Sequence, residues 1–141
     1  TGALTLLDAK LTEDFVQSLS TPTSQPDAPS GTRLPFIPEY KAYVNARYEF
    51  KVRSYDAFVN GNVSMVGSSY NDLFIAARQE QAGYELVNLT AGIGRDNWEL
   101  RLLLRNLTDK RAELYRNAAD FDSRITTNMP RSIGVSFSQK F

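Results

Sequence analysis

The sequence contains no cysteine and no histidine. Without cysteine there can be no disulfide framework, thiolate metal site or thiol nucleophile. Without histidine the chain lacks the most common general base near neutral pH and the most common imidazole metal ligand. A catalytic site would have to use carboxylate, lysine, tyrosine or hydroxyl groups, and no such arrangement stands out. We therefore expect a protein that is not an enzyme and binds no metal or cofactor.

The sequence also lacks an excess of charge and any long apolar run. Sixteen basic and sixteen acidic side chains give a formal net charge of zero, whereas a nucleic-acid partner would require a basic surface. No segment approaches the ~18 apolar residues of a membrane-spanning helix. Residues 1–5 show no signal-peptide pattern. Hydropathy alone would indicate a soluble protein, but the alternating strands of a membrane barrel give a weaker signal than a helix does.

Alternation of apolar and polar residues dominates the rest of the sequence. It runs through residues 42–50, 57–65, 87–93, 98–104 and 133–137. A period of two is typical of a strand with one face in an apolar medium. A sixth strand is expected near residues 3–11, where the alternation is poorer, and residues 11–18 could form a turn of helix. The pattern predicts an all-β fold, an antiparallel up-and-down meander of about six strands.

The connections between these strands alternate between short and long. The gaps at residues 51–54 and 94–97 are short, whereas residues 13–35, 69–83 and 109–130 are long and polar. Outer-membrane barrels combine short periplasmic turns with long extracellular loops. The connections therefore favour part of a larger transmembrane β-barrel.

The aromatic residues cluster near the ends of the predicted strands. Membrane barrels place aromatic girdles at both interfaces, although aromatic side chains also favour strands in general. The predicted girdle consists of Tyr40, Tyr48, Phe50, Tyr55, Tyr70, Tyr84, Trp98 and Phe141.

The polar residues of the alternating segments are expected to face the lumen. A basic side chain at mid-depth on the lipid face would cost about 2–4 kcal/mol, so the charges agree with the alternation. The predicted lumen-facing residues are Asn45, Arg47, Asn60, Asn62, Asn88, Glu99, Arg101 and Arg105.

Several segments resemble TonB-dependent outer-membrane receptors. Residues 96–110 resemble a penultimate W-x-L strand that runs into an N-L-T-D-K motif, and residues 130–141 resemble a last strand of the form P-R-x-[IVL]-G-[VL]-x-[FL]-x-x-x-F. Residues 33–41 resemble a loop-to-strand junction, and residues 84–89 resemble a Y-x-L-V-N segment. The resemblance spans about residues 31–141 and depends on the order and spacing of these motifs.

The resemblance implies a barrel of about 22 strands with a plug in its lumen. Six strands cannot close such a barrel, so residues 1–141 would be its C-terminal portion, with the plug absent from this chain. The implied function is import of a scarce nutrient across the cell outer membrane. The implied partners are outer-membrane lipid, the upstream strands and plug of the same protein, the barrel assembly machinery, and TonB through the missing N-terminal region.

The last strand and the longest loop supply two further sets of candidate residues. An outer-membrane assembly signal is expected from Ile133, Val135, Phe137 and Phe141. Residues that could touch a ligand from outside are Arg116, Asp120, Asp122 and Arg124.

Two other functions remain open at this point. A passive, porin-like channel would have the same wall, and only a plug upstream would favour the receptor. A soluble antiparallel β-barrel that binds a small ligand would turn its apolar faces inward to a core and stay soluble without detergent.

Overall fold

A computed structural model of the chain describes residues 1–17, 25–117 and 124–141. Its strands are, in chain order, β1 (Gly2–Leu6), β2 (Tyr40–Val52), β3 (Tyr55–Val66), β4 (Ser69–Tyr70), β5 (Glu80–Gln81), β6 (Tyr84–Arg95), β7 (Trp98–Arg105), β8 (Glu113–Asn117), β9 (Arg124–Thr127) and β10 (Ser132–Gln139).

Six of these strands form one antiparallel sheet in the order β1-β2-β3-β6-β7-β10. Neighbours in this sheet follow one another along the chain, except that the two-stranded ribbons β4–β5 and β8–β9 lie apart from it. The predicted six-stranded up-and-down meander is confirmed.

The described residues contain no helix. The expected helical turn over residues 11–18 is therefore wrong for its described part, residues 11–17. Phe15 instead forms an isolated antiparallel bridge with Ala28, in which the two backbones exchange hydrogen bonds of 2.8 and 3.1 Å. In this segment the backbone pairs with a later part of the same connection and does not form a helix. No helix in the described part of the chain is long and apolar enough to cross a membrane.

Short turns lie at one end of the sheet and long connections at the other. Arg53 and Ser54 join β2 to β3, and Asp96 and Asn97 join β6 to β7. The first residue of each turn has a positive φ, 57° for Arg53 and 52° for Asp96, as two-residue hairpin turns require. The opposite end carries residues 7–39, 67–83 and 106–131, and we call it the loop end.

The register of the strands separates apolar from polar side chains. Tyr48, Val59, Ala91, Leu102 and Val135 form one row across five strands, with each residue paired to the next. We call the face that carries this row the apolar face and the opposite one the polar face. The apolar residues of the alternating segments that lie on the apolar face include Val44, Ala46, Val59, Val63, Leu89, Ala91, Leu100, Leu102, Val135 and Phe137.

The sheet is a single layer without a core beneath it. Val44 is 52 % exposed and Val135 is 71 % exposed, although both lie on the apolar face. Among the described residues, the buried apolar side chains are only Ala28, Ala57, Phe58 and Ala112. Among the described residues, no segment forms a second layer over the apolar face.

The long connections pack against one another over the loop end. The Phe36 backbone N–H donates a hydrogen bond of 2.7 Å to the Tyr70 carbonyl, and the Phe36 ring stacks on Tyr115 at a centroid distance of 5.3 Å. Arg33 pairs with Glu39 at 2.9 Å and donates to the Ser68 carbonyl at 3.0 Å. These contacts hold the three connections together above the sheet.

Candidate functional site

The predicted lumen-facing residues all lie on the polar face. Asn45 and Asn62 are register partners, as are Asn62 and Asn88, so three amides form one row across β2, β3 and β6. The Asn45 amide donates to Asn60 Oδ1 at 3.1 Å, and the Asn88 amide donates to Asn62 Oδ1 at 2.8 Å. The centre of the polar face is therefore lined with neutral, mutually hydrogen-bonded amides.

Charged pairs lie nearer the short turns on the same face. Arg47 Nε contacts Glu49 Oε1 at 2.7 Å on β2, and Arg101 Nε contacts Glu99 Oε1 at 2.6 Å on β7. Both pairs join residues two apart on a strand, which places the partners on one side of the sheet. Arg105, at the end of β7, is exposed and pairs in register with Ser132.

Phe58 is a buried aromatic side chain on this face. It is only 9 % exposed, and the Arg47 guanidinium carbon lies 3.8 Å from its ring centroid. The ring lies over Gly92, its register partner on β6, where an added Cβ would come within 2.3 Å of Phe58 Cε1. Gly92 thus provides the space for the ring, and the ring supports the guanidinium.

An open hollow of about 510 Å³ borders these residues at the short-turn end. Its lining includes Arg47, Glu49, Lys51, Asp56 and Glu99. Lys51 and Asp56 approach each other to 3.5 Å. The hollow therefore presents charges of both signs that are already paired within the wall.

At the loop end, hydrogen bonds of Asn106 link the segments that carry the sequence motifs. It has a positive φ of 50° and is 5 % exposed. Its amide donates to the carbonyl oxygens of Lys110 and Met129 at 3.0 and 2.9 Å, and its Oδ1 accepts the Lys110 backbone N–H at 2.9 Å. Its own backbone N–H donates to Asn88 Oδ1 at 2.9 Å.

Asp109 completes this group, which we call the Asn106 cluster: Asn88, Asn106, Asp109, Lys110 and Arg131. Asp109 Oδ1 accepts the Arg131 backbone N–H at 2.8 Å. This hydrogen bond, aided by the positive charges of Arg111 and Arg131, lowers the pKa of Asp109 from its ordinary value of 3.8. The cluster explains physically why the Y-x-L-V-N, N-L-T-D-K and P-R motifs occur together, since each supplies a partner for another.

Of the predicted ligand-contacting residues, the structure describes Arg116 and Arg124, and it does not place them side by side on one surface. Arg116 is held by Glu113, with an Nη2 to Oε1 distance of 2.7 Å. Arg124 pairs in register with Asn117, one position along from the pairing of Arg116 with Ile125. Alternation along a strand therefore places the two arginines on opposite faces of the ribbon. Asp120 and Asp122 lie outside the described residues.

The predicted girdle residues are concentrated at the short-turn end of the apolar face. Tyr48 stacks on Phe50 at 5.6 Å, Tyr55 contacts Trp98 at 5.9 Å, and Phe141 is fully exposed after β10. At the loop end Tyr40 lies on the apolar face. Tyr84 lies on the polar face, paired with Val66, and Tyr70 lies in β4, where Arg78 covers its ring at 3.4 Å. The girdle as a whole stays a prediction.

Three of the four proposed assembly residues lie in β10, and Phe141 comes after it. Ile133, Val135 and Phe137 alternate on the apolar face, and all three are exposed. Phe137 also stacks on Trp98 at 6.4 Å. Recognition of this strand during assembly stays a prediction.

Three features of the site were missed by sequence reasoning. These are the packing of the Phe58 ring on Gly92, the hydrogen bonds by which Asn106 links separate segments, and a cavity lined in part by Gln81. A glycine opposite an aromatic residue could have indicated this packing, but only once the register of β3 and β6 was known. Within the described ranges, no group of three or more acidic residues could hold a metal ion.

A family model described as "TonB dependent receptor-like, beta-barrel" matches residues 2–107. The match covers more than half of the 141 residues and includes β1, β2, β3, β6 and β7. No curated protein and no solved structure matches the chain. The family match confirms the resemblance drawn from the motifs, and the six-stranded meander fits part of a larger barrel. The chain therefore belongs to the TonB-dependent receptor family, as part of its β-barrel.

Proposed function

We propose that this chain supplies the C-terminal barrel wall and loops of a receptor that imports a scarce nutrient across the outer membrane. The observation that carries the proposal is the continuous, uncovered apolar face of a single-layer sheet. Apolar patches of this extent are rare on soluble monomers and mark a surface that meets a protein or a membrane. In a barrel of this family, the partner of that face would be lipid.

The free edges of the sheet support a place within a larger barrel. Among the described strands, β1 pairs only with β2, and β10 pairs only with β7. Unpaired strand edges are not tolerated in the hydrocarbon region, because their N–H and C=O groups would lack partners. Upstream strands of the same protein would complete both edges. The barrel assembly machinery would act on β10 through Ile133, Val135, Phe137 and Phe141.

The polar face would form part of the lumen wall. Its amide row and its paired charges are compatible with a hydrated interior, and the hollow near the short turns offers a surface to a plug. Contact with TonB would come through the N-terminal region of the complete protein. Because receptors of this kind bind and transport, we assign the chain no enzymatic step.

The test uses the complete protein in its own bacterium, with deletion strains for the receptor and for TonB. Growth would be compared under limitation of iron, cobalamin and an oligosaccharide, one at a time. We expect one limitation under which both deletions slow growth, with fractionation placing the protein in the outer membrane. A receptor-dependent growth benefit that persists without TonB would indicate a passive channel instead. Recovery of the protein in the soluble fraction without detergent would overturn the barrel placement.

A further inference from the structure

A cavity of about 270 Å³ lies at the loop end of the polar face. Its floor is a row of register partners on β2, β3 and β6, namely Lys41, Val66 and Tyr84. Its walls come from all three long connections, through Phe36, Gln81 and Leu114 among others. Small-molecule pockets usually measure about 300–1,000 Å³, so this cavity suits a compact ligand or one group of a larger ligand.

Gln81, one of the residues that line the cavity, has a buried side-chain amide nitrogen without a partner among the described residues. The residue is 3 % exposed. Its Oε1 accepts the Ser69 hydroxyl at 3.2 Å, whereas its Nε2 bonds to no group among the described residues. Buried polar groups in proteins nearly always have a partner, and leaving one unpaired costs about 1–3 kcal/mol. A ligand that supplies an acceptor would remove this cost.

Two further donors border the same space. Within the described residues, the Lys41 ammonium forms no ion pair and the Tyr84 hydroxyl forms no hydrogen bond. Glu113 also lines the cavity, and its carboxylate is paired with Arg116 through contacts of 2.7 and 2.8 Å. The charge of Lys41 is therefore not offset within the cavity, which favours an anion.

The cavity also has an apolar side. Phe36, Pro38, Val66 and Leu114 line the cavity. The stacking of Phe36 on Tyr115 at an interplanar angle of 21° holds that ring in place. A ligand that fits this lining has a carboxylate at one end and a compact apolar body at the other.

We propose that this cavity binds a small organic carboxylate, with its anionic group toward Lys41, Tyr84 and Gln81 and its apolar body toward Phe36 and Leu114. A role of this cavity in transport rests on the proposed function. If the loop end lies outside the cell, the cavity is on the import path. As a binding site it stands on the residues alone.

The test measures binding by calorimetry to the complete, detergent-solubilised protein. The probe is benzoate, and benzamide is its neutral counterpart of similar shape. We expect benzoate to bind at least ten times more tightly than benzamide. Lys41→Gln should remove this preference, and Lys41→Arg should restore much of it. Gln81→Leu should weaken benzoate binding, since it removes the buried amide, at the loss of the Ser69 hydrogen bond.

The matched control is Lys51→Gln, which removes an exposed lysine from the same strand and face at the short-turn end. Its binding should equal that of the original protein. Heat-modifiable gel mobility confirms that every variant is folded. Absence of benzoate binding, equal binding of benzamide, or an unchanged affinity in folded Lys41→Gln would overturn the proposal. These outcomes are independent of the TonB-dependent growth test, so either proposal can fail alone.

Discussion

The Asn106 side chain holds several backbone groups in place at the loop end. Its amide bonds to the backbone of Lys110 and Met129, and its N–H bonds to Asn88. We expect Asn106→Ala to lower the stability of the folded protein by about 1–3 kcal/mol, because it leaves buried backbone groups without partners. The measurement is the temperature at which the folded gel band is lost.

Two companion variants separate the causes of this effect. Asn106→Gly removes the same hydrogen bonds but tolerates the positive φ of 50° at this position. Thr108→Ala changes an exposed neighbour and should have little effect. If Asn106→Gly were as stable as the original protein, backbone strain rather than hydrogen bonding would explain the loss in Asn106→Ala.

Gly92 is a residue of the polar face at which an added methyl group should be poorly tolerated. A Cβ there would lie 2.3 Å from Phe58 Cε1, whereas a Cβ at Gly134 on the same face would have no atom within 4 Å. Overpacking typically costs about 1–3 kcal/mol. We expect Gly92→Ala to destabilise by this amount, and Gly134→Ala to stay within about 0.5 kcal/mol of the original protein.

A double-mutant cycle identifies the origin of the Gly92 effect. In a Phe58→Ala background the ring that would clash is absent, so Gly92→Ala should then cost little. An equal cost in both backgrounds would show that the glycine is required by the backbone and not by the Phe58 ring. Unfolding of the complete protein in urea would provide the free energies.

At the scale of elements, the long connections contain structure of their own. β4–β5 and β8–β9 form two short ribbons that the sequence analysis did not predict. Their strands contain only two to five residues, too few for a period-2 pattern to stand out. Contacts such as the Phe36–Tyr115 stack and the Arg78–Tyr70 contact hold the two ribbons in place.

The β10 element carries the prediction about assembly. Phe141→Ser should lower the amount of folded barrel in the outer membrane, because it removes the aromatic residue at the interfacial end of the last strand. Phe141→Tyr should keep most of it, since tyrosine suits the same boundary. The readout is heat-modifiable mobility of outer-membrane fractions.

A water-exposed strand end would give a different result. Surface substitutions of that kind usually stay within about 0.5 kcal/mol, so the folded yield of Phe141→Ser would match the original. That result would count against the assembly role of the aromatic residue.

At the scale of the whole molecule, the two faces of the sheet should respond oppositely to charge. Leu102 lies on the apolar face midway along β7, and Leu103 lies next to it on the polar face. If lipid covers the apolar face, Leu102→Lys should destabilise the barrel by about 2–4 kcal/mol. Leu103→Lys should be tolerated much better. Chemical unfolding in lipid vesicles would measure the free energy of unfolding of both variants.

The soluble-protein alternative makes a different prediction for the same pair. Leu102 is 41 % exposed in the chain, so in water a lysine there would cost little. Equal stability of the two lysine variants would therefore argue against a lipid partner for the apolar face.

The strands and their faces were determined by the sequence itself. The period-2 pattern is local, so residues 42–50 and 57–65 were enough to predict β2 and β3, although the observed strands are Tyr40–Val52 and Tyr55–Val66. The strands extend further because backbone pairing continues through their aromatic and polar ends. The two short turns were also predicted from the sequence, because they are the short gaps between neighbouring alternating segments.

Only the tertiary structure decided which distant residues meet. Strand register placed Phe58 on Gly92, and it brought Asn88 to Asn106, eighteen positions along the chain. Packing of the long connections buried Gln81 and separated Arg116 from Arg124. These connections lack a repeating pattern, and their arrangement depends on contacts between segments far apart in the chain. A local pattern specifies the two faces of a strand, but it cannot specify which loops close over the end of the sheet.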